Sequence, residues 1–359
     1  MPRLLVLLTL LLTTAVSRAE SWPQAQWSEA LAPTSPAIEQ LERYAFPARN
    51  DATREGVRTD ALLVVRDGQV VYERYAAPTR ASTAHSTWSM SKSLLATVLG
   101  VAFGEGRFHL QDSAADYYQP LNQHRDIRLQ DLLHWASGLD WQEDYEYAPL
   151  DSSVVAMLYT RGRRDMAAYA ASHGRAAAPG KVFLYSSGDS NLLAAALRNM
   201  VGIHDYPNYP WQALFDPLGI HSAVWETDAS GTFVASSYAY LTARDLARVG
   251  LLMQRDGQWQ GQQLLPRAWV EFNRTPFAPS ADQPGEAAAG GHWWLNSNGA
   301  WPSAPRSTFA ALGHWGQALY VLPEQKLVVV RYADDRDGSY RHDELLRQVL
   351  LAFGGKGAP

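Results

Sequence analysis

The hydrophobic pattern of the chain is strand-like near both ends and helix-like in the middle. Residues 61–65 and 69–75 are rich in β-branched and aromatic side chains, and Asp67-Gly68 between them predicts a β-hairpin. Later strand-like runs lie at 292–296, 307–312, 317–322 and 326–332, and a helical run at 344–353 follows them. Both ends of the chain are therefore expected to contribute strands to one antiparallel sheet.

Apolar residues at helical spacing fill most of the chain between the two groups of strands. The predicted helices cover 93–103, 129–136, 152–159, 164–172, 191–201, 209–215, 241–254 and 266–273. This order predicts an α+β fold in which helices flank the sheet and a mostly helical lobe is inserted at about 112–227. The α/β part is expected at about 50–111 and 228–359, within one domain that spans 20–359.

The first 19 residues have the pattern of a cleaved secretory signal peptide. Arg3 precedes the apolar run 4–12, and Ser17 and Ala19 place small residues at the positions that a signal peptidase recognises. The apolar run is too short to span a membrane, and the absence of cysteine excludes a lipid-modified cysteine and any disulfide. We expect a mature protein that starts near Glu20 and is periplasmic or secreted, with no membrane anchor.

Composition narrows the classes of function that the chain can have. With 47% hydrophobic and 19% charged residues, the 359-residue chain can bury a large core. A formal net charge of -5 and scattered arginines argue against a nucleic-acid or anionic-membrane partner. The sequence has no phosphate-binding loop, dinucleotide fingerprint, zinc-protease motif or Gly-x-Ser-x-Gly elbow. We expect a small-molecule substrate and no metal or cofactor; the sequence leaves the oligomeric state open.

The most specific chemical signal is Ser89-Met90-Ser91-Lys92, at the start of an apolar helix. Ser89 and Lys92 are three residues apart, so on a helix they lie within contact reach. A helix N-terminus disfavours an extra cation, which favours a neutral amine that can accept the serine proton. Lysine accounts for only four of the 31 basic residues, which indicates that this position needs a titratable amine. The pair predicts a serine nucleophile activated by Lys92.

Tyr185 is the candidate for a third proton-transfer group. It ends a short apolar run just before a helix that Asp189 or Ser190 would cap, so it is expected at a turn facing a cleft. If Tyr185 contacts Lys92, the ammonium would favour the phenolate and supply a second base. The alternative is a tyrosine that packs between two lobes of the protein.

The segment Gly313–Gln317 lies between two predicted strands, where glycine lets the backbone approach a ligand closely. The backbone N–H groups of Ser89 and Gln317 are candidate donors to the oxyanion of acyl transfer. His314 is a candidate polar group facing the substrate, with a purely structural histidine as the alternative. Tyr145, in an aromatic segment, is a candidate for the wall of the pocket.

These motifs together resemble those of the serine β-lactamase and penicillin-recognising superfamily. The matching segments are Ser89–Lys92, Tyr185-Ser-Ser187 after Pro179-Gly180, His314-Trp315-Gly316, and the landmarks at 131–139 and 215–220. The similarity covers roughly 50–352 and is closest to the branch of class C β-lactamases, family VIII-type esterases, D-stereospecific peptidases and 6-aminohexanoate-dimer hydrolases. It implies a β-lactamase/transpeptidase-like fold, an acyl-enzyme on Ser89, and substrate-binding roles for Ser187, His314, Trp315 and Gly316.

Two positions depart from the β-lactamase pattern that the resemblance brings. Ser187 stands where this branch usually has an asparagine, and His314 stands where β-lactamases usually have the lysine of a Lys-Thr-Gly triplet. Both departures favour the esterase and amide-hydrolase members, so we expect hydrolysis of a small ester or amide, with linear ω-amino-acid oligomer amides as one candidate. A β-lactamase or D,D-peptidase, and a non-catalytic peptide or cell-wall binding protein, are the alternatives.

Overall fold

The computed structural model describes residues 21–281 and 285–355, so the signal peptide predicted at 1–19 lies outside the described residues. Within them, the helices are α1 (Pro36–Ala45), α2 (Met90–Gly104), α3 (Ala114–Tyr117), α4 (Leu129–Leu133), α5 (Ser153–Tyr159), α6 (Met166–Ala171), α7 (Ser187–Val201), α8 (Asp216–Leu218), α9 (Ala243–Gln254), α10 (Arg267–Arg274), α11 (Ala278–Ala281) and α12 (His342–Phe353). The strands are β1 (Thr59–Arg66), β2 (Gln69–Tyr75), β3 (His85–Ser86), β4 (Val224–Trp225), β5 (Ala239–Leu241), β6 (Gln258–Trp259), β7 (Gln262–Gln263), β8 (Ala288–Ala289), β9 (Trp294–Leu295), β10 (Phe309–Gly313), β11 (Gln317–Leu322) and β12 (Leu327–Ala333).

Seven strands form one antiparallel sheet in the order β2-β1-β12-β11-β10-β9-β8. The β1-β2 hairpin turns at Asp67 and Gly68, which have φ values of 50° and 77°, as a two-residue hairpin turn requires. Leu63 of β1 pairs with Val330 of β12, so the two ends of the chain meet inside the sheet. The α+β fold with a sheet built from both termini is confirmed.

Alternate residues of β1 belong to two different hydrophobic cores. Leu62 and Val64 pack in the core that includes residues of α1 and α12, whereas Leu63 and Val65 pack with α2 and α9. Helices thus cover both faces of the sheet, and for that reason β1 and β12 are almost continuously apolar rather than alternating. Helix α2 contacts α7 on one side and the sheet strands β10 and β11 on the other, which places its first turn between the sheet and the helices.

The structure differs from the sequence prediction in several local features. Helix α7 is capped by Ser186 and not by Asp189 or Ser190, because the Ser186 side chain accepts from the Asp189 N–H. Helix α1 occupies the proline-rich lead-in, where no helix was predicted; the Ser35 side chain caps it by accepting from the Ile38 N–H, and Pro36 opens its first turn. At 209–215 the structure has a π-helical turn, Trp211–Phe215, which runs into α8. A capping residue followed by proline indicates the start of a helix, but the proline-rich composition of this segment does not by itself indicate one.

Candidate active site

Ser89 lies immediately before α2, in the position that usually caps a helix, yet its side chain makes no capping hydrogen bond. The preceding Trp88 has a φ of 47°, a left-handed conformation that is uncommon for a bulky residue. The Trp88 ring packs edge-on against His314 and Trp315. The hydroxyl of Ser89 is therefore left for other partners, at the floor of a cavity.

Lys92 lies one turn into α2 and points at that hydroxyl. Its Nζ donates to Ser89 Oγ at 3.1 Å and to the backbone oxygen of Ser236 at 2.8 Å. The side chain is 1% exposed. Burial lowers the pKa of Lys92 to about 8, against an opposing effect from Glu143. A substantial fraction of neutral amine near pH 8 follows, and burial rather than the helix terminus is its main cause.

Tyr185 completes the group. Ser89 lies close enough to its hydroxyl to lower the pKa of Tyr185, against the larger effect of burial, and the Tyr185 ring centroid lies 4.9 Å from Lys92 Nζ. The ring packs against Trp135 and Trp294. The expectation of a phenolate was wrong, because burial raises the pKa of Tyr185 well above its usual value. Tyr185 is therefore a neutral phenol that can donate and relay a proton, while Lys92 is the better base.

A cavity of about 550 Å³ opens over Ser89. Two of the three predicted proton-transfer residues, Ser89 and Tyr185, line this cavity. Two of the predicted substrate-binding residues, Tyr145 and His314, line it as well. Its lining consists of Ser89, Glu143, Tyr145, Glu146, Tyr185, Gly285, Glu286, Ala287, Trp294, Trp301, Leu312, Gly313, His314 and His342. Tyr145 stacks on His314 at 5.1 Å between ring centroids, and His314 Nε2 lies 2.9 Å from Glu146 Oε1. The loop that carries Tyr145 and the turn that carries His314 therefore form one wall.

The structure does not support a substrate contact for Ser187. Ser187 is fully buried at the start of α7. Its hydroxyl donates to Glu143 Oε1, and its backbone N–H donates to Glu143 Oε2 at 3.0 Å. The Glu143 carboxylate occupies the donors that would otherwise meet a substrate. A substrate-binding role for Ser187 stays a prediction, which these contacts with Glu143 do not favour.

Trp315 and Gly316 also lie away from the Ser89 cavity. Trp315 faces a neighbouring surface pocket, where the Arg336 guanidinium lies over its ring. Gly316 has a φ of 83°, and a side chain there would collide with the buried ion pair of Arg331 and Asp335. Packing, rather than approach of a ligand, explains this glycine. On this side of the cavity Gly313 is the glycine that lines the site.

Gln317 lies at the start of β11 and pairs with Gly313. Its side chain turns inward, where Nε2 donates to the backbone oxygen of Ala333 and Oε1 accepts from the Ala333 N–H at 3.0 Å. This anchoring fixes the backbone of the turn that faces Ser89. The N–H groups of Ser89 and Gln317 as oxyanion donors stay a prediction.

Several groups in the site were not predicted from the sequence, and three of them are polar groups near its centre. Glu143 and Glu146 line the cavity, and the backbone oxygen of Ser236 accepts from Lys92. The two glutamates had a signal, since they are charges within the aromatic segment that contains Tyr145. The backbone oxygen of Ser236 had no such signal in the sequence, because every residue type has a backbone oxygen.

Two features are absent from residues 21–281 and 285–355. These residues contain no group of three or more His, Cys, Asp or Glu side chains that could hold a metal ion. No helix within these ranges is long and apolar enough to cross a membrane.

A serine and a tyrosine that both lie against one buried lysine, at the junction of an antiparallel sheet and helices, define a serine hydrolase with the β-lactamase/transpeptidase-like fold. The chain belongs to the beta-lactamase family, whose model matches residues 43–352. It is 27% identical to a 6-aminohexanoate-dimer hydrolase from Paenarthrobacter ureafaciens, over 95% of this chain and 87% of that protein.

Solved structures show the same fold. A candidate 6-aminohexanoate-dimer hydrolase from Bacillus anthracis matches with a TM-score of 0.74 at 24% identity, covering 93% of this chain and 89% of that one. A family VIII carboxylesterase matches with a TM-score of 0.68 at 15% identity, covering 90% and 98% of the two chains. These two neighbours show the fold, and their names describe different activities.

Proposed function

We propose that the protein hydrolyses small esters or linear amides through an acyl-enzyme on Ser89. The observation that carries the proposal is the 3.1 Å contact between Ser89 Oγ and the Nζ of a lysine that is 1% exposed and has a pKa lowered to about 8. A serine hydroxyl becomes a strong nucleophile when a neutral base lies within hydrogen-bond distance.

The arrangement assigns each step of the reaction to a group. Lys92 takes the Ser89 proton as Oγ attacks the substrate carbonyl, and the N–H groups of Ser89 and Gln317 bind the oxyanion. Tyr185, as a neutral phenol, relays this proton from Lys92 to the leaving alcohol or amine, which leaves Lys92 neutral again. Lys92 then takes a proton from water as the water attacks the acyl group, and it returns that proton to Ser89 Oγ when the bond between Oγ and the acyl carbon breaks and the acid is released.

The charge of the cavity favours neutral or amine-bearing substrates. Glu143, Glu146 and Glu286 line it, and burial lowers the pKa of His314. A substrate carboxylate, such as that of a penicillin or of a peptide C-terminus, would lie close to these side chains and be repelled. This charge disfavours a β-lactamase or D,D-peptidase. Linear amides of ω-amino acids carry an amine at one end, which these carboxylates would attract, and a carboxylate at the other end, which would have to lie away from them. The named activity of the Paenarthrobacter relative supports such substrates.

A substitution of the nucleophile tests the proposal. Wild-type protein is expected to be labelled by a fluorophosphonate and to turn over a chromogenic short-chain ester, whereas Ser89→Ala should lose both. Ser82→Ala, at an exposed serine, is the matched control and should keep both. A panel of esters, cephalosporins, D-amino-acid amides and aminohexanoate dimers then ranks substrates. Equal labelling and turnover in Ser89→Ala would refute the proposal, and a non-catalytic binding protein would give neither in any variant.

The pattern of residues 1–19 supports a further part of the proposal, export from the cytoplasm with cleavage of a signal peptide near Glu20. Mass spectrometry of the protein recovered from a periplasmic fraction is the test. An N-terminus near residue 20 is the expected result, and recovery of the uncleaved chain from the cytoplasm would contradict it.

A further inference from the structure

Glu143 links the cavity wall to the start of α7. Its Oε2 accepts from the Ser187 N–H at 3.0 Å, and its Oε1 accepts from the Ser187 hydroxyl. The indole N–H of Trp141 donates to the same carboxylate. Three donors therefore hold one side chain at a fixed position beside Ser89 and Tyr185, which line the same cavity.

These contacts fix the turn that carries Tyr185. The N–H of Ser187 is one of the first N–H groups of α7, which have no partner inside the helix, and a carboxylate there is stabilised by the helix dipole. The Trp141 ring fits against Gly188, where an added Cβ would lie 2.8 Å from the ring. The 141–143 segment thus clamps the first turn of α7, two residues after the tyrosine that contacts Ser89.

We propose that Glu143 is a positioning residue that holds the Tyr185–Ser187 turn in its reactive geometry and places a negative charge beside Lys92. The inference rests on the proposed function, because it assigns a residue to that same reaction. Glu143 acts through Ser187 on Tyr185 and through space on Lys92, and it takes no proton from the substrate.

The charge of Glu143 reaches several titratable groups at the site. It opposes the lowering of the Lys92 pKa that burial causes, and it adds to the burial that raises the pKa values of Tyr185, Tyr145 and Asp189. Removal of this charge should therefore lower the pKa of Lys92 further.

Other polar groups lie near Lys92 and across the cavity, and each has a contact that differs from those of Glu143. Lys92 also contacts the Ser236 carbonyl, and buried His292 lies close enough for the lysine to lower the histidine pKa. Across the cavity, Glu146 pairs with His314. Glu143 is thus the carboxylate that both contacts the tyrosine turn and acts on the lysine pKa.

The test is the pH dependence of Ser89 labelling by a fluorophosphonate and of kcat/KM for a short-chain ester. Both rates should rise through a midpoint near the Lys92 pKa of about 8. In Glu143→Gln the midpoint should move down by roughly half a pH unit or more, with a several-fold lower plateau in kcat. In Ser187→Ala the plateau should fall several-fold while the midpoint stays. Glu324→Gln, at an exposed glutamate, is the control and should match wild type.

The outcomes separate this inference from the proposed function. If labelling requires Ser89 but the Glu143→Gln midpoint is unchanged or moves up, the positioning role is refuted and the proposed function stands. If labelling does not require Ser89, the positioning role of Glu143 and the proposed function are both refuted. Thermal denaturation checks that each variant is folded. Should Glu143→Gln fail to fold, a wild-type plateau in Ser187→Ala would by itself overturn the role.

Discussion

Replacement of Lys92 by methionine should abolish activity and raise stability at the same time. Methionine has a similar length and no charge, so it suits a position that is 1% exposed. Loss of the base should lower kcat/KM for an ester by roughly 10²–10⁴-fold. The gain in stability follows from the pKa of the lysine.

The magnitude comes from the difference between the folded and unfolded pKa values of Lys92. Burial lowers the pKa from 10.5 to about 8, and one unit corresponds to about 1.4 kcal/mol. The folded state binds the lysine proton less tightly than the unfolded state, so below pH 8 the lysine destabilises the fold by about 3 kcal/mol. Methionine also loses the hydrogen bonds to Ser89 and Ser236, each worth about 1 kcal/mol. A net gain of roughly 1–2 kcal/mol at pH 7 is expected.

Urea unfolding of wild type, Lys92→Met and Lys181→Met at several pH values is the assay. Lys181 is exposed, so its variant should stay within about 0.5 kcal/mol of wild type. The advantage of Lys92→Met should shrink as pH rises from about 8 toward 10.5, because the folded lysine is already neutral there. A Lys92→Met variant that is less stable than wild type at pH 7, or whose advantage does not change with pH, would refute the reasoning.

Two further predictions concern stability alone. Burial raises the pKa of Asp189 to about 7, so the stability that its protonated form gives below about pH 4 is lost as pH rises through 7. Unfolding of Asp189→Asn should lack this decline, and parallel pH curves for variant and wild type would contradict it. Gly316→Ala should lower stability by roughly 2–3 kcal/mol, because its Cβ meets Asp335 and its φ is 83°. Gly106→Ala, at a φ of 71° with open space around it, should cost only about 1 kcal/mol; equal losses of melting temperature would argue against the steric cause.

The contact between Ser89 and Lys92 was predictable because a separation of three residues within one helix fixes it locally. Tyr185 is 93 residues after Lys92, so periodicity could not place it there, and its assignment depended on the resemblance. The hydroxyl of Ser187 could not be assigned either, because its acceptor lies 44 residues away on a loop without regular structure. Contacts between loops and helix ends depend on the tertiary fold, which the hydrophobic pattern does not encode.

The sheet was predictable for a physical reason. Buried strands such as β11 and β12 carry almost continuous apolar residues, and a turn such as Asp67-Gly68 has a distinctive composition. The protonation state of Tyr185 was not predictable, because it depends on the balance between a nearby lysine and burial on all sides. In the structure burial is the larger effect.

Burial of Lys92 connects the fold to the chemistry. Thirteen of the 15 residues of α2 are buried, including Leu94, Leu95 and Leu99, and each such leucine contributes about 1.5–3 kcal/mol by leaving water. This apolar packing offsets the cost of a desolvated amine and also excludes the water that would return its pKa to 10.5. Arginine would stay charged in the same place. The apolar packing of the helix is therefore also the cause of the reactivity of its lysine. For this reason a Ser-x-x-Lys motif is informative when it lies in a buried helix and uninformative on a solvated one.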